Sequence, residues 1–297
     1  MSVIYTNIKY KTLPADVSQE ILAKTVEDSA IMRLARQIAL PGRGATIPVI
    51  TSDPEASWVA ETASKPVSNP GLSTKIMQAY KLAVIVPFSD EFRRDAATLY
   101  DEIVRRIPSA LAKKFDKTVI GAVSKPGDNF DNFASCTAQS LSSDAYAGLV
   151  AADTDVSVHG GILNGFALSP QAKGVLLAAC DDNGRPLFIN SVAEGAIPQI
   201  LGAKTYINSG LFKAGSAASG ADPAVPNTVG VAGDWTKAMY GTVEGVKVSY
   251  SADATLDLGS DTVVNLFQQN MFALRAEIEI GFRADTSVFN LLTTAYA

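Results

Sequence analysis

"WVAETASKPVSNPGLSTK", residues 58–75, is polar and is broken by two prolines and a glycine. Apolar runs stand on both sides, "ATIPVI" at 45–50 and "IMQAYKLAVIVPF" at 76–88. Turn-forming residues between two β-prone runs predict a long hairpin with an open tip. In its return strand Ile76, Tyr80, Leu82, Val84 and Val86 are expected on one face, and Lys75, Met77, Ala79 and Lys81 on the other. An isolated two-stranded ribbon is marginal in water. The hairpin therefore needs support from outside its own two strands.

Immediately downstream the period changes. In "SDEFRRDAATLYDEIVRRIPSALAKKFDKTVIGAV", 89–123, Phe92, Ala96, Leu99, Ile103, Ile107, Leu111, Phe115 and Val119 recur three and four apart. That spacing predicts one long amphipathic helix. Ser89 is a natural N-cap, and Asp90 and Glu91 suit the positive end of the helix dipole. Pro108 is expected to kink the helix or split it, and Gly121 or the "KPGD" turn at 125–128 to end it. At about 1.5 Å per residue the unit would be roughly 50 Å long.

Upstream, residues 1–44 look like an arm. "PADVSQEILAKTVEDSA", 14–30, predicts a short helix, and "IMRLARQIALPGRG", 31–44, an extended segment ending in a turn. Residues 129–255 predict a compact α/β unit. It has a helix in "SSDAYAGLVAAD", a strand in "GFALS", a Ser169-capped helix in "SPQAKGVLLAAC", a turn in "DDNGRPLF" and a strand in "LGAKTYIN". "KAGSAASGADPAVPN", 213–227, predicts a mobile loop, and "EGVKVSYS" a strand that closes the unit. Last, "NMFALRAEIEIGFRADTSVF", 270–289, alternates strongly. Phe272, Leu274, Ala276, Ile278, Ile280 and Phe282 point one way, and Arg275, Glu277, Glu279 and Arg283 the other. This predicts a long half-buried strand that packs on the long helix.

The 297 residues are 47% hydrophobic, with 25 basic and 30 acidic side chains and a net charge of −5. That is enough apolar material for real cores and argues against nucleic-acid binding by overall charge, while leaving room for a local basic face. Cys136 and Cys180 have no paired spacing, so two buried, reduced thiols are expected rather than a disulfide framework or a zinc site. The N-terminus lacks the pattern of a signal peptide, and the longest apolar run, "LAVIVPF", is too short to span a bilayer.

Catalytic motifs are not evident. His159 is the one histidine, expected as a polar loop or turn residue. "GRGATI", 42–47, lacks the third glycine of a dinucleotide loop, and "DDNG", 181–184, lacks the later ligands of a calcium loop. Glu277 and Glu279 sit beside Arg275 and Arg283, which suits a solvated or intersubunit charge ladder better than acid–base chemistry. No catalytic residue, cofactor or metal is expected. Arm and hairpin have too little self-contact to be stable alone, and the simplest support for them is other copies of the same chain.

The ordered set of strings resembles the major capsid proteins of tailed bacteriophages, with the Hong Kong 97-type fold. "WVAETASKP" followed by "KLAVIVPFSDE" looks like that family's extended loop entering its spine helix. "NGFALSPQAKGVLLAACDDNGRPLF", "ILGAKTYIN" and "GDWTKAMYG" look like its axial domain, and "NMFALRAEIEIGF" is similar to its last peripheral strands. The resemblance implies an α+β chain, divided into an N-terminal arm (1–44), an extended hairpin loop (45–88), spine helix and peripheral domain (89–128), axial domain (129–260) and peripheral return strands (261–297). It implies a structural protein, not an enzyme, that forms hexamers and pentamers of an icosahedral shell around double-stranded DNA. The expected location is the virion capsid, assembled in the bacterial host cytoplasm.

Further expected partners are scaffolding, portal and decoration proteins and packaged DNA by weak non-specific contact, with no membrane. The chain starts almost directly at the arm, so any scaffold is expected to be a separate protein. Proposed subunit contacts are Trp58, Glu61, Lys65 and Lys75. The family's lysine–asparagine crosslink is not carried over, because Lys65, Lys75, Asn270 and Glu277 cannot be matched to its positions. The alternatives are an encapsulin-like nanocompartment shell that houses a cargo enzyme and, from another class, a serine or carboxylate hydrolase.

Overall fold

The computed structural model describes residues 15–42, 44–52, 56, 58–59, 64–65, 67, 71–89, 96–181, 183–188, 199–219, 223–257, 259 and 263–296. The described chain opens with two helices, α1 (Ala15–Asp28) and α2 (Ala30–Leu34). Where an extended segment was expected from residue 31, α2 forms because the Ser29 side chain accepts a hydrogen bond from the Met32 amide at the helix start. Burial of Ala30, Ile31 and Met32 then holds it. The extended stretch is short, β1 (Arg36–Ala39).

The hairpin pairs β2 (Ala45–Ser52) with β3 (Gly71–Met77), antiparallel from Ala45↔Met77 to Ser52↔Gly71. Its return strand therefore stops at Met77, well short of the expected residue 88. The next strand, β4 (Tyr80–Ser89), belongs to another sheet. Gln78 and Ala79 lie outside both strands and shift the alternation. Met77 is fully buried and Ile76 is 52% exposed, the reverse of the expected faces, whereas Tyr80 and Leu82 do turn toward the core.

The long helix, α3 (Ala96–Val119), runs as one element through Pro108 rather than splitting there. Its length is about 36 Å at ~1.5 Å per residue, and residues 90–95, part of the expected helix, lie outside the described residues. Gly121, at φ +81°, ends it, and Ala122 N–H donates back to the Lys117 carbonyl at 2.9 Å.

Then follow β5 (Thr137–Ser140), α4 (Ala145–Val158), β6 (Gly165–Leu168), α5 (Pro170–Ala178), β7 (Gln199–Ile200), β8 (Ala203–Ile207), β9 (Asn227–Gly233), β10 (Ala238–Thr242), β11 (Lys247–Ser251), β12 (Thr255–Asp257), β13 (Val263–Asn265), β14 (Met271–Ala284) and β15 (Phe289–Thr294).

Two main sheets result. The first has the order β1-β10-β14-β11, with β4 along the other side of β14 from Met271↔Ser89 to Ile280↔Tyr80. The second has the order β5-β15-β9-β6-β8-β7. Three strands change place relative to the sequence reading: β10, inside the stretch expected as the α/β unit, pairs with β1 and β14 in the first sheet. β11, expected to close the α/β unit, pairs with β14 in the first sheet, and β15 inserts between β5 and β9 in the second. The stretch 213–227 is a ladder extension rather than a free loop over its described residues, with bridges Lys213↔Thr228 and Ser216↔Val225.

The alternation of β14 survives. Phe272, Ala276, Ile278, Ile280 and Phe282 are buried. Ile107 and Leu111 of α3 pack with Val246, Val248, Ala276 and Ile278. Phe115 meets Phe282 and Phe130 edge-on, at ring separations of 6.0 and 6.3 Å. Each such buried side chain contributes about 1.5–3 kcal/mol. In the second sheet, Leu149 and Ala152 of α4 and Leu176 of α5 cover Phe166, Leu168, Val229 and Leu292.

Candidate assembly surfaces

The hairpin combines an anchored base with an uncovered tip. At the base, Met77 enters a hollow in the first sheet where two glycines face each other across the ladder, Gly241↔Gly281. A β-carbon on Gly241 would lie 2.9 Å from Met77 Sδ, and one on Gly281 3.0 Å from Met77 Cγ. Only glycine leaves room for this knob. Beside it, Arg283 donates to the Ile76 carbonyl from Nη2 (2.6 Å) and Nε (2.8 Å) and to Asp131 Oδ1 from Nη1 (2.7 Å). Asp131 also accepts from the Ala284 amide at 3.2 Å. Arg283 is predicted by strand alternation to lie on an outer charge ladder. It is instead the clamp that fastens the hairpin base to β14, a role invisible to alternation because only the fold brings residue 76 beside residue 283.

Of the four expected contact residues, Trp58 is wholly exposed and Lys65 is exposed, and nearby Val67 is 86% exposed. Glu61 lies outside the described residues. Lys75 is engaged within its own chain, donating to the Ala284 carbonyl at 3.1 Å with its ammonium 3.7 Å from Asp131 Oδ2. It belongs with the clamp, two residues from Met77, rather than with the exposed rim.

Further apolar surface is uncovered elsewhere. On α4, Tyr146, Val150 and Val158 share one face and are 49%, 37% and 76% exposed. On the two-stranded ribbon of β12 and β13, Phe267 is 75% exposed. It sits in a turn held by the Asn265 side chain, which accepts from the Gln268 amide at 3.0 Å. Leu266, its neighbour, is fully buried. An aromatic held outward on a fixed turn is suited to an interface.

A buried node joins the helices to the second lobe. The Asp116 carboxylate on α3 accepts from Ser29 Oγ at 2.6 Å, the Ala30 amide at 3.2 Å and Asn208 Nδ2 at 2.7 Å. Burial outweighs these bonds and pushes its pKa up to about 7. Sequence periodicity treats Asp116 as an ordinary helix residue and offers no signal for this role.

The residues weighed for chemistry have other duties. His159 caps α4, with Nδ1 2.8 Å from the Asp155 carbonyl oxygen. Arg275 pairs with Glu277 at 3.1 Å and Lys81 with Glu279 at 3.6 Å. Asp181 holds its own turn, accepting from the Asn183 and Arg185 amides. Cys136 is partly buried and its thiol is pushed up to about 12 by burial, but Cys180 is exposed, contrary to the expectation of two buried thiols. It is exposed because α5 stops at Ala178 and Cys180 falls in the bridge with Pro186. No cluster of metal-ligating side chains occurs among the described residues, and no described helix is long and apolar enough to cross a membrane.

Comparison with known proteins gives a consistent picture. The family model described as the phage capsid family matches residues 11–285. The chain is 26% identical over 299 residues to the probable major capsid protein gp17 of Mycobacterium phage D29, covering 95% of this chain and 89% of the relative. It is 27% identical over 308 residues to the corresponding protein of Mycobacterium phage L5, covering 96% and 90%. A solved chain from Gordonia phage Cozz superimposes with a TM-score of 0.70 at 21% identity, covering 91% of this chain and 87% of that one.

Proposed function

The chain belongs to the phage capsid family, and from that premise we propose that hexamers and pentamers of it close an icosahedral shell around the double-stranded DNA of a tailed phage or prophage. It has the Hong Kong 97-type capsid fold and is a structural protein of the virion capsid, built from many copies of itself. In this reading the first sheet with α3 is the peripheral domain, the second sheet with α4 and α5 is the axial domain, and residues before β2 are the arm. Assembly takes place in the host cytoplasm, and scaffolding, portal and decoration proteins are its further partners. The phage-capsid names of the relatives favour this branch over an encapsulin-like shell.

The observation that carries the reading is the contrast within the hairpin. Met77, Arg283 and Lys75 fix its base, while Trp58 is wholly exposed. A tryptophan left in water is costly, and packed at an interface it contributes strongly. The hairpin tip therefore lies on a neighbouring subunit with Trp58 as apolar anchor. Glu61 and Lys65 make rim contacts, each contributing under about 1 kcal/mol. Lys75 acts indirectly, by aiming the hairpin.

The test replaces residues 62–72 with a short glycine-containing turn, and separately Trp58 with alanine. Circular dichroism should match the parent, because both cores lie elsewhere, while sedimentation and negative-stain micrographs should show few or unstable shells. Normal shell yield and heat resistance in both variants would remove the tip from the assembly contact.

A further inference from the structure

The second half of α3 presents a row of like charges. Arg106, Lys113, Lys114 and Lys117 are all exposed. At about 100° per residue they fall within roughly one third of the helix circumference, opposite the buried Leu111, Phe115 and Val119. Lys113, Lys114 and Lys117 have no acidic partner among the described residues. The acidic residue in their midst, Asp116, is buried on another side and bonded to Ser29 and Asn208.

A helix C-terminus favours a nearby cation, which accounts for some positive charge in the last turn. It does not account for lysines at 113 and 117, four apart, where like charges repel. Such a row is relieved by an external anion. Between the charges the exposed side chains are Ser109 and Ala110, both small, so a broad surface can approach closely. The row carries neither an exposed aromatic nor a large apolar anchor. The first absence argues against stacking of unpaired bases, and the second against a protein partner.

We propose that this face of α3 binds the phosphate backbone of double-stranded DNA without reading its sequence. The three lysines rise about 6 Å from Lys113 to Lys117 at ~1.5 Å per residue, which spans several duplex charges. A duplex presents one negative charge per about 1.7 Å of its axis, so a row of that length always faces phosphates, whatever the register. Lysine suits the task as a compact charge on a flexible stem. In a chain of net charge −5 the attraction is local, so binding is weak and strongly salt-dependent. The choice of duplex as the anion rests on the capsid reading, which assembly tests separately.

The experiment compares unassembled capsomers of the parent, of Lys113→Gln/Lys114→Gln/Lys117→Gln and of the three single variants. A fluorescent duplex of about 30 base pairs is titrated and anisotropy is followed from about 50 to 200 mM salt. Each phosphate contact contributes about −0.9 to the slope of log affinity on log salt. The triple variant should therefore lose about 2.7 of the slope, and the parent should weaken about 40-fold more than the variant over that fourfold salt range. Each single variant should lose about a third of this, which keeps the test open if the triple variant misfolds by circular dichroism. Arginine at all three positions should restore the parent slope. An unchanged slope overturns the proposal. Intact DNA binding with reduced shell yield overturns it in favour of an acidic protein partner. Failure of the parent to form shells at all would instead count against the capsid reading.

Discussion

Replacing Met77 by alanine asks whether the hairpin is aimed by its base. The side chain is fully buried, in the hollow between Gly241 and Gly281, and neither glycine has a side chain that could move in to fill the space. Buried Met-to-Ala changes cost about 2–5 kcal/mol, through lost transfer energy and the cavity left behind. The lower half of that range is expected, since Leu40 borders the same hollow and can relax into it. Most of the loss should fall on the local opening that frees β2 and β3, because the β4–β14 and β10–β14 ladders hold the rest of the sheet without Met77. A loss of about 2–3 kcal/mol is about a 30- to 150-fold change in an equilibrium. Native-state hydrogen exchange should therefore show β2–β3 amides losing protection by that factor, while amides of β14 and β9 change by less than about threefold. Shell yield should fall as well, although Trp58 is untouched. If β2–β3 protection is unchanged, or if every amide shifts equally, the hollow is not what orients the hairpin.

Two further outcomes are expected. The Asp116 carboxyl is raised from 3.8 to about 7 in the folded chain, so the native state binds the extra proton between those values; its contribution is fully present below about pH 4 and is lost as pH rises through about 7. Asp116→Asn should flatten that part of the stability profile, measured as denaturant midpoint from pH 4 to 8, and an equally steep fall in the variant would assign the pH dependence to another group. Particles boiled in detergent should run as a single band near 31.2 kDa, since no lysine–asparagine–glutamate set could be matched for crosslinking, and a ladder of multiples would contradict this.

Much of the architecture was legible because it depends on local period. Helical spacing located α3, alternation located β14 with its buried face correctly assigned, and Ser169 followed by Pro170 marked the start of α5. Those signals arise from neighbours within a few residues, where backbone geometry alone decides which side chains share a face. Expectations weakened where a partner far along the chain decided the outcome. β4 continued the hairpin in the sequence reading, but ten residue pairs with β14 claim it for another sheet. β11 and β15 exchanged lobes in the same way, since strand propensity says nothing about which edge a strand will join.

The sequence by itself determined that the chain is α+β and that the order of its parts resembles a capsid subunit; its expectation that the arm leans on other copies is corrected by the fold, which buries Ile31 and Met32 in the chain's own core and pairs β1 with β10. Tertiary structure alone decided which charges are structural and which are free. Arg283 and Lys75 look like surface residues in the sequence and become the clamp of the hairpin base. Asp116, one of several charges on an amphipathic helix, becomes a buried junction of three segments, leaving Lys113, Lys114 and Lys117 unbalanced on the exposed face. The reason is physical: periodicity reports the direction a side chain takes from its own backbone, whereas burial and pairing depend on groups that only the folded chain brings within a few ångströms.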